Sequence, residues 1–355
     1  MKRRIGILTG GGDCPGLNAV IRGVVEVCSK SDIEVVGFLA GWRGALNGDH
    51  RILTPEDVEG IQTMGGTILE SSRTNVKKTP NGPEKIIETM KKLGLEALVA
   101  IGGDDTLGVA NFLRKEHGVN VVGVPKTIDN DLSCTDFTFG FDTAANIAME
   151  AIDRIRTTAA SHARCFVVEC MGRSSGWITL QSGWAADAHI IIIPEFPMNM
   201  DEIMEIVKKR YNRGKRYTII AVAEGVTIEG LEQGDLGVDA FGHPLLVNSQ
   251  LAKDLATAIE KRMRADESLD EKRKYFECRS LVLGHLQRGG APSAFDRVLG
   301  SRMGVKAGEL VAAGDYGNMV ALKGTEIVKA DLDVAVSVRK DVPASLYDAC
   351  KYYFR

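Results

Sequence analysis

The chain has 355 residues, of which 44% are hydrophobic and 26% charged. This is the composition of a globular protein long enough for two domains, or one large α/β domain, with a sizeable core. Lys and Arg number 44 against 47 Asp and Glu, a formal net charge of −3, which excludes a broad nucleic-acid or membrane-binding surface but leaves room for a small basic site.

Seven cysteines without a CxxC pair suggest neither a disulfide framework nor a zinc ribbon, so reduced thiols and a cytoplasmic setting are expected. No apolar run approaches the ~18 residues of a membrane span. Ile5–Leu8, behind Lys2, Arg3 and Arg4, is too short for a signal peptide. Glycine, at 39 residues, exceeds its average share of about 7%.

In chain order, short apolar runs alternate with helical patterns. Arg4–Leu8 ends in Thr9-Gly10-Gly11-Gly12-Asp13 and is followed by helical spacing over Asn18–Ser29. Val35–Leu39 ends in a Gly41-Trp42-Arg43-Gly44 turn, and Pro83–Leu93 is helical. Ala97–Ile101 ends in Gly102-Gly103-Asp104-Asp105-Thr106, ahead of a helix over Leu107–Glu116. Val121–Val124 ends in Pro125-Lys126-Thr127-Ile128-Asp129-Asn130-Asp131, ahead of a helix over Thr143–Ala159. Cys165–Glu169, Ile190–Ile193 and Tyr217–Ala223 are further strands, with a helix over Asp201–Tyr211. Runs this short and apolar predict strands of parallel sheets covered by helices on both faces. Residues 225–277 hold few strand-like runs, and the charge-dense stretch from Glu260 to Glu277 reads as a solvated helix or loop.

In open parallel sheets ligands bind beyond the carboxyl ends of the strands, and here those ends carry the glycines, acids and arginines. Gly10–Asn18 follows a strand and opens a helix, so its backbone can approach a phosphate at a helix N-terminus. It is neither a dinucleotide fingerprint nor a Walker A loop. A carboxylate beside phosphate needs an intervening cation, so Asp104 suits Mg²⁺; the plain alternative is a helix cap. Asp129 suits a base that accepts a hydroxyl proton, with Lys126 and Arg173 neutralising the charge that spreads in phosphoryl transfer; the plain alternative is an Asx-rich turn. Arg279, His285 and Arg288 form a basic cluster whose forks match phosphate oxygens. A competing motif, Gly172-Arg173-Ser174-Ser175-Gly176, matches a nucleophile elbow, with Asp187 and His243 or His285 following in hydrolase order.

Together GGGDCPGLN at 10–18, IGGDDT at 101–106, PKTIDND at 125–131, MGR at 171–173 and GHLQRGG at 284–290 resemble the phosphofructokinase family, from about Arg4 to about Leu322. The resemblance implies two Rossmann-like three-layer αβα domains with mainly parallel sheets and the active site in the cleft between them. Residues 1–140 with 290–337 would form a larger phosphoryl-donor-binding domain, and 141–289 with 338–355 a smaller sugar-phosphate-binding domain. It implies phosphorylation of the 1-hydroxyl of fructose 6-phosphate with Mg²⁺. Asp129 would be the base, Thr127 and Arg173 stabilisers of the transferring phosphoryl group, and Asp104 the metal ligand. Gly12, Arg73, Asp105, Thr106 and Lys126 would face the donor. Met171, Gly172 and Glu224 would contact the sugar, and Arg164, Arg279, His285 and Arg288 would clamp its 6-phosphate. Arg164 and Arg279 would reach a neighbouring subunit's active site, which implies a homo-oligomer, dimer or tetramer.

Donor choice turns on two positions. ATP-using bacterial members resemble GGDGS and PGTIDND, with glycine where this chain has Asp105 and Lys126. A carboxylate at 105 would repel the α-phosphate of ATP, while an ammonium at 126 adds charge for compact pyrophosphate. The expectation is therefore a pyrophosphate-dependent, reversible enzyme, with an ATP-dependent enzyme and a non-catalytic sugar-phosphate-binding regulator as alternatives. Arg22 and Arg156 match arginines of the bacterial effector site, but Glu26, Pro55 and His189 break its charge pattern, so control by nucleoside diphosphate or phosphoenolpyruvate is expected to be weak or absent.

Overall fold

The computed structural model describes residues 2–231, 237 and 249–354. In chain order the strands and α-helices begin with β1 (Arg3–Thr9), α1 (Leu17–Lys30), β2 (Ile33–Phe38), α2 (Trp42–Asn47), β3 (His50–Leu53), α3 (Gly82–Leu93), β4 (Ala97–Gly102), α4 (Asp104–His117), β5 (Val121–Pro125) and α5 (Phe141–His162). There follow β6 (Cys165–Cys170), α6 (Trp177–Ala185), β7 (Ile190–Ile192), α7 (Met200–Asn212), β8 (Thr218–Ala223), α8 (Leu251–Ala265) and β9 (Cys278–Val282). The chain closes with α9 (Ala294–Ala313), β10 (Asn318–Lys323), β11 (Glu326–Asp331), α10 (Leu332–Ser337) and α11 (Ala344–Lys351).

The chain divides into two compact units, Met1–Thr143 with Arg288–Lys340, and Ala144–Gln287 with Asp341–Arg355. The first holds a seven-stranded sheet of order β11-β10-β5-β4-β1-β2-β3. Its five inner strands are parallel, and only the edge strands β3 and β11 run antiparallel to their neighbours. Every residue of β4 (ALVAIG) and β5 (VVGVP) is buried, the pattern of strands covered on both faces. The second unit holds a four-stranded parallel sheet of order β7-β8-β6-β9, and β6 and β8 are buried throughout. The expected α/β class with mainly parallel sheets is the observed one.

Register brings the predicted turns together. Thr9 pairs with Ile101, and Gly102 with Pro125, so β1, β4 and β5 end side by side. The Gly10 N–H donates to the Ile101 carbonyl at 2.9 Å, and the Lys126 N–H to the Gly102 carbonyl at 2.9 Å. The order turns at β1 and β4, with β2 on one side and β5 on the other, which is the switch point where an open sheet offers a crevice.

Helix α1, which begins immediately after the first glycine turn, packs on α9 backbone to backbone. A Cβ at Gly304 would lie 2.3 Å from the Val20 carbonyl oxygen, and one at Gly23 would lie 2.8 Å from that of Ser301. No larger residue fits at either place unless a helix moves.

The strand runs read from the sequence lie within two residues of the observed ones. Strands β3, β10 and β11 and the half-exposed edge strand β9 were not among them. In the charge-dense stretch, α8 gives way to a 3₁₀ turn over Glu271–Tyr275.

Candidate active site

In the first unit the glycine turn sits on Thr106. A Cβ at Gly10 would lie 2.6 Å from Thr106 Oγ1, and one at Gly102 would lie 2.2 Å from Thr106 Cβ. Thr106, 3% exposed, is thus the wedge beneath both glycine turns, and its side chain packs against both. Gly11 (φ 80°) and Gly16 (φ 107°) take left-handed backbone, which glycine adopts without strain. Across the turn, the Ser71 hydroxyl donates to the Gly11 carbonyl at 2.5 Å, and the Gly11 N–H donates to the Ser72 carbonyl at 3.1 Å. The neighbouring Arg73 is exposed.

Lys126 is 4% exposed, and its Nζ donates to the Gly12 carbonyl at 2.5 Å. Burial pulls its ammonium below the ordinary lysine value, against the favourable charges of Asp129 and Asp104. Arg288 lies on the same turn: its Nη1 donates to the Asp13 carbonyl at 3.2 Å, and a Cβ at Gly12 would come within 2.6 Å of it. Arg288 Nε is buried without a hydrogen-bond partner among the described residues. The glycine turn therefore carries two cations and the N-terminus of α1, the electrostatics of an anion cradle.

Asp104 is exposed and opens α4, whose cap position is Gly103 with no side-chain cap, so the plain reading of Asp104 as a helix cap does not hold. Asp104 and Asp105 both occupy the first turn, where the helix dipole favours carboxylates.

The loop after β5 is stitched by Thr127 and Thr138. The Asp129 N–H donates to Thr127 Oγ1 at 3.0 Å. The Thr138 hydroxyl donates to the Thr127 carbonyl at 2.7 Å, and its N–H to Asn130 Oδ1 at 3.1 Å. Asn130 takes the left-handed region at φ 51°. Asp131 is pushed up to about 7, by burial first and then by the charges of Asp129 and Asp104. The charges of Asp104 and Asp129 thus act on both Asp131 and Lys126. Among the described residues no three His, Cys, Asp or Glu form a metal cage. A single exposed Asp104 nonetheless fits Mg²⁺, which commonly keeps its waters and takes one or two carboxylates plus substrate phosphates.

In the second unit, register pairs Cys170 with Ala223, so Met171-Gly172-Arg173 and Glu224 emerge together. The Gly172 N–H donates to Glu224 Oε1 at 3.4 Å, and the Gly225 N–H to the Gly172 carbonyl at 3.2 Å. Gln287, fully buried, accepts from the Met171 N–H at 3.3 Å and donates to the Gly284 carbonyl at 3.1 Å. It holds the strand end against the 3₁₀ turn that bears exposed His285. Arg164 and Arg279 share one carboxylate: Arg164 Nε pairs closely with Glu277, and Arg279 Nη2 lies 3.4 Å from the same oxygen. These two arginines hold Glu277 below the usual carboxylate range. Gln287 and Glu277 were not singled out in the sequence, where only their places between recognised residues pointed to them.

Of the residues expected to break the effector pattern, His189 is buried and neutral, pushed down to about 3 chiefly by burial, and its Nδ1 accepts from the Ile219 N–H at 2.8 Å. Arg22 pairs with Glu26 at 3.5 Å and bonds Gln62, and Arg156 lies 3.6 Å from Asp187. Asp187, the acid that a hydrolase triad would need, is thus engaged by an arginine, and His243 lies outside the described residues.

A parallel sheet whose strand ends carry glycine turns, an exposed helix-opening aspartate and an aspartate-bearing loop has the parts an α/β phosphotransferase needs. The Phosphofructokinase family matches residues 4–311, and the chain belongs to that family. It is 51% identical to a pyrophosphate–fructose 6-phosphate 1-phosphotransferase of Amycolatopsis methanolica, over 99% of both chains. It is 45% identical to an ATP-dependent 6-phosphofructokinase of Streptomyces coelicolor, over 97% of this chain and 98% of that one. Among solved structures, Pichia pastoris phosphofructokinase superposes with a TM-score of 0.79 at 31% identity, covering 100% of this chain and 37% of that one. Among the described residues no helix is long and apolar enough to cross a membrane.

Proposed function

We propose that this protein is a cytoplasmic enzyme that transfers a phosphoryl group reversibly from pyrophosphate to the 1-hydroxyl of fructose 6-phosphate, giving fructose 1,6-bisphosphate and phosphate. The observation that carries the donor assignment is the pair Asp105 and Lys126. Asp105 sits in the first turn of α4, and the Lys126 ammonium lies on the Gly12 carbonyl. The carboxylate obstructs the α-phosphate of a nucleotide, and the buried ammonium favours the dense charge of pyrophosphate. Relatives named for pyrophosphate and for ATP both span nearly the whole chain, and these two residues support pyrophosphate as the donor.

In this reading the unit with Met1–Thr143 holds the donor. The Gly12 backbone, Arg73 and Lys126 bind pyrophosphate, and Thr106 holds the turns that present it. Asp104 would hold Mg²⁺, which neutralises phosphate charge when bound. Asp129 accepts the proton of the 1-hydroxyl as its oxygen forms the new bond to phosphorus and the bond to the bridging oxygen breaks, releasing phosphate. Thr127 and Arg173 stabilise the charge on the moving phosphoryl group. Met171, Gly172 and Glu224 position the sugar. His285, Arg288, Arg164 and Arg279 take the 6-phosphate, the last two across a homo-oligomer interface. For those two, the sugar phosphate takes the place that Glu277 occupies between them.

Arg22 and Arg156 each already have a carboxylate partner, which supports weak effector control. Velocity against fructose 6-phosphate should be hyperbolic and insensitive to ADP or phosphoenolpyruvate; a sigmoidal curve relieved by ADP would contradict this. The activity itself is tested by a coupled assay for fructose 1,6-bisphosphate with Mg²⁺ and pyrophosphate. Formation of product is expected, and no product with either pyrophosphate or ATP would overturn the reading.

A further inference from the structure

The loop that bears Asp129 lies outside the strands and helices and is tied down by side-chain contacts. Asn130, between the two aspartates, is left-handed, a conformation asparagine tolerates but which must be maintained by its surroundings. Its side chain is gripped by Lys340, more than 200 residues away in sequence. Lys340 Nζ donates to Asn130 Oδ1 at 2.9 Å, to the Thr135 carbonyl at 3.0 Å and to the Asp136 carbonyl at 2.9 Å. Its backbone N–H donates to the Asp131 carbonyl at 2.8 Å, and Arg339 bridges Leu132.

The far side of this grip is fixed to the sheet. The Leu322 N–H donates to Thr135 Oγ1 at 3.0 Å, the Asp136 N–H to the Leu322 carbonyl at 2.9 Å, and the Gly324 N–H to Asp136 Oδ2 at 2.7 Å. One ammonium thus ties Asn130 in the aspartate loop to a turn anchored on β10, using donors in three directions as lysine allows.

We propose that Lys340 is a positioning residue for the reaction, holding Asn130 so that the adjoining Asp129 carboxylate is presented to the 1-hydroxyl. This inference rests on Asp129 being the base. A base displaced by about 1 Å loses up to ~10²-fold in rate while substrate binding survives, so the signature is in kcat.

Titration gives an independent handle. Burial lowers the Lys340 ammonium to about 8, with Asp136 and Asp131 opposing the shift and Lys323 adding to it. Because this lies below the ordinary lysine value, deprotonation above pH 8 does not weaken the fold; stability from this group rises with pH up to its unfolded value. A fall in kcat over that range would therefore not come from stability lost at Lys340.

The test compares Lys340→Met, Lys340→Arg and Lys323→Met with the full-length enzyme, measuring kcat, the fructose 6-phosphate KM and Tm. Lys323 pairs with Asp136 at 3.0 Å from solvent and serves as a control charge on the same turn. Lys340→Met should lower kcat about tenfold or more with KM within about threefold, and Lys323→Met should leave kcat near the wild-type value. Wild-type kcat should fall as pH rises through about 8, and Lys340→Arg, which does not deprotonate, should lack that limb. A Lys340→Met enzyme with wild-type kcat, an equal loss in Lys323→Met, or an unchanged alkaline limb in Lys340→Arg would overturn the proposal. If Lys340→Met fails to fold, the Lys340→Arg pH profile decides. Asp129→Ser run in parallel separates the two readings. Full activity there would refute the base, whereas an inactive Asp129→Ser beside a fully active Lys340→Met would refute only the role of Lys340.

Discussion

Asp129→Ser should lower kcat with pyrophosphate by at least ~10²-fold, while the KM for fructose 6-phosphate stays within a few-fold of its wild-type value. The substitution removes the carboxylate that receives the hydroxyl proton and leaves a small polar side chain in its place. Three contacts that hold the loop do not use the Asp129 carboxylate and should survive: the Asp129 N–H on Thr127 Oγ1, Thr138 on the Thr127 carbonyl and Lys340 on Asn130. Serine can make the same backbone bond. Removing the charge relieves repulsion on Asp131 and withdraws an attraction from Lys126, so the net change in thermal stability should be small. Steady-state kinetics and a melting curve on the same preparation check both halves, and an intact rate would remove Asp129 from the mechanism.

Asp105→Gly should raise kcat/KM for ATP by at least about tenfold, equivalent to 1.4 kcal/mol, and lower it for pyrophosphate. Two unit charges 4 Å apart at an effective dielectric of 20 repel by about 4 kcal/mol, so removing one carboxylate is enough to produce such a change. Opposing this, glycine in the first turn of α4 and the lost helix-dipole interaction cost about 1 kcal/mol of stability. The donor effect exceeds that cost and is read from rate, not from melting. Lys126 is the poorer target, because truncating it would also strip the Gly12 carbonyl of its buried partner and disturb the glycine turn itself. Kinetics with each donor at saturating fructose 6-phosphate provide the check. If ATP use did not improve, Asp105 would not be the discriminating residue.

Much of this was readable in the chain because the informative segments are local. Each strand-end turn is contiguous, and an apolar run followed by glycines and acids is visible without knowing what packs on it. Other contacts join residues far apart in sequence. Thr106 carries no obvious signal of being the wedge under Gly10 and Gly102, since that contact needs β1 and β4 to be neighbours. Arg288 reads as part of a phosphate clamp from its neighbours His285 and Arg279, but nothing in the sequence shows that its guanidinium also reaches the Asp13 carbonyl. Gln287 and Glu277 act through backbone and side-chain partners that pattern cannot locate. Lys340 sits in a segment whose sequence resembles no motif, and only the fold brings it to Asn130. Edge strand β9 was illegible as a strand because its burial pattern is largely exposed and its short run CRSLV lacks the continuous apolar pattern of the inner strands. The glycine excess is partly explained at these turns, and partly by the α1–α9 seam, where glycine serves helix packing and not a ligand.

The most direct test is the ratio of kcat/KM for pyrophosphate to that for ATP, measured on the wild-type enzyme with Mg²⁺ and the same fructose 6-phosphate concentration. Asp105 and Lys126 predict a ratio well above one, with the reverse reaction from fructose 1,6-bisphosphate and phosphate readily observed. A ratio below one would contradict the donor assignment and return the chain to the ATP-dependent branch of its family.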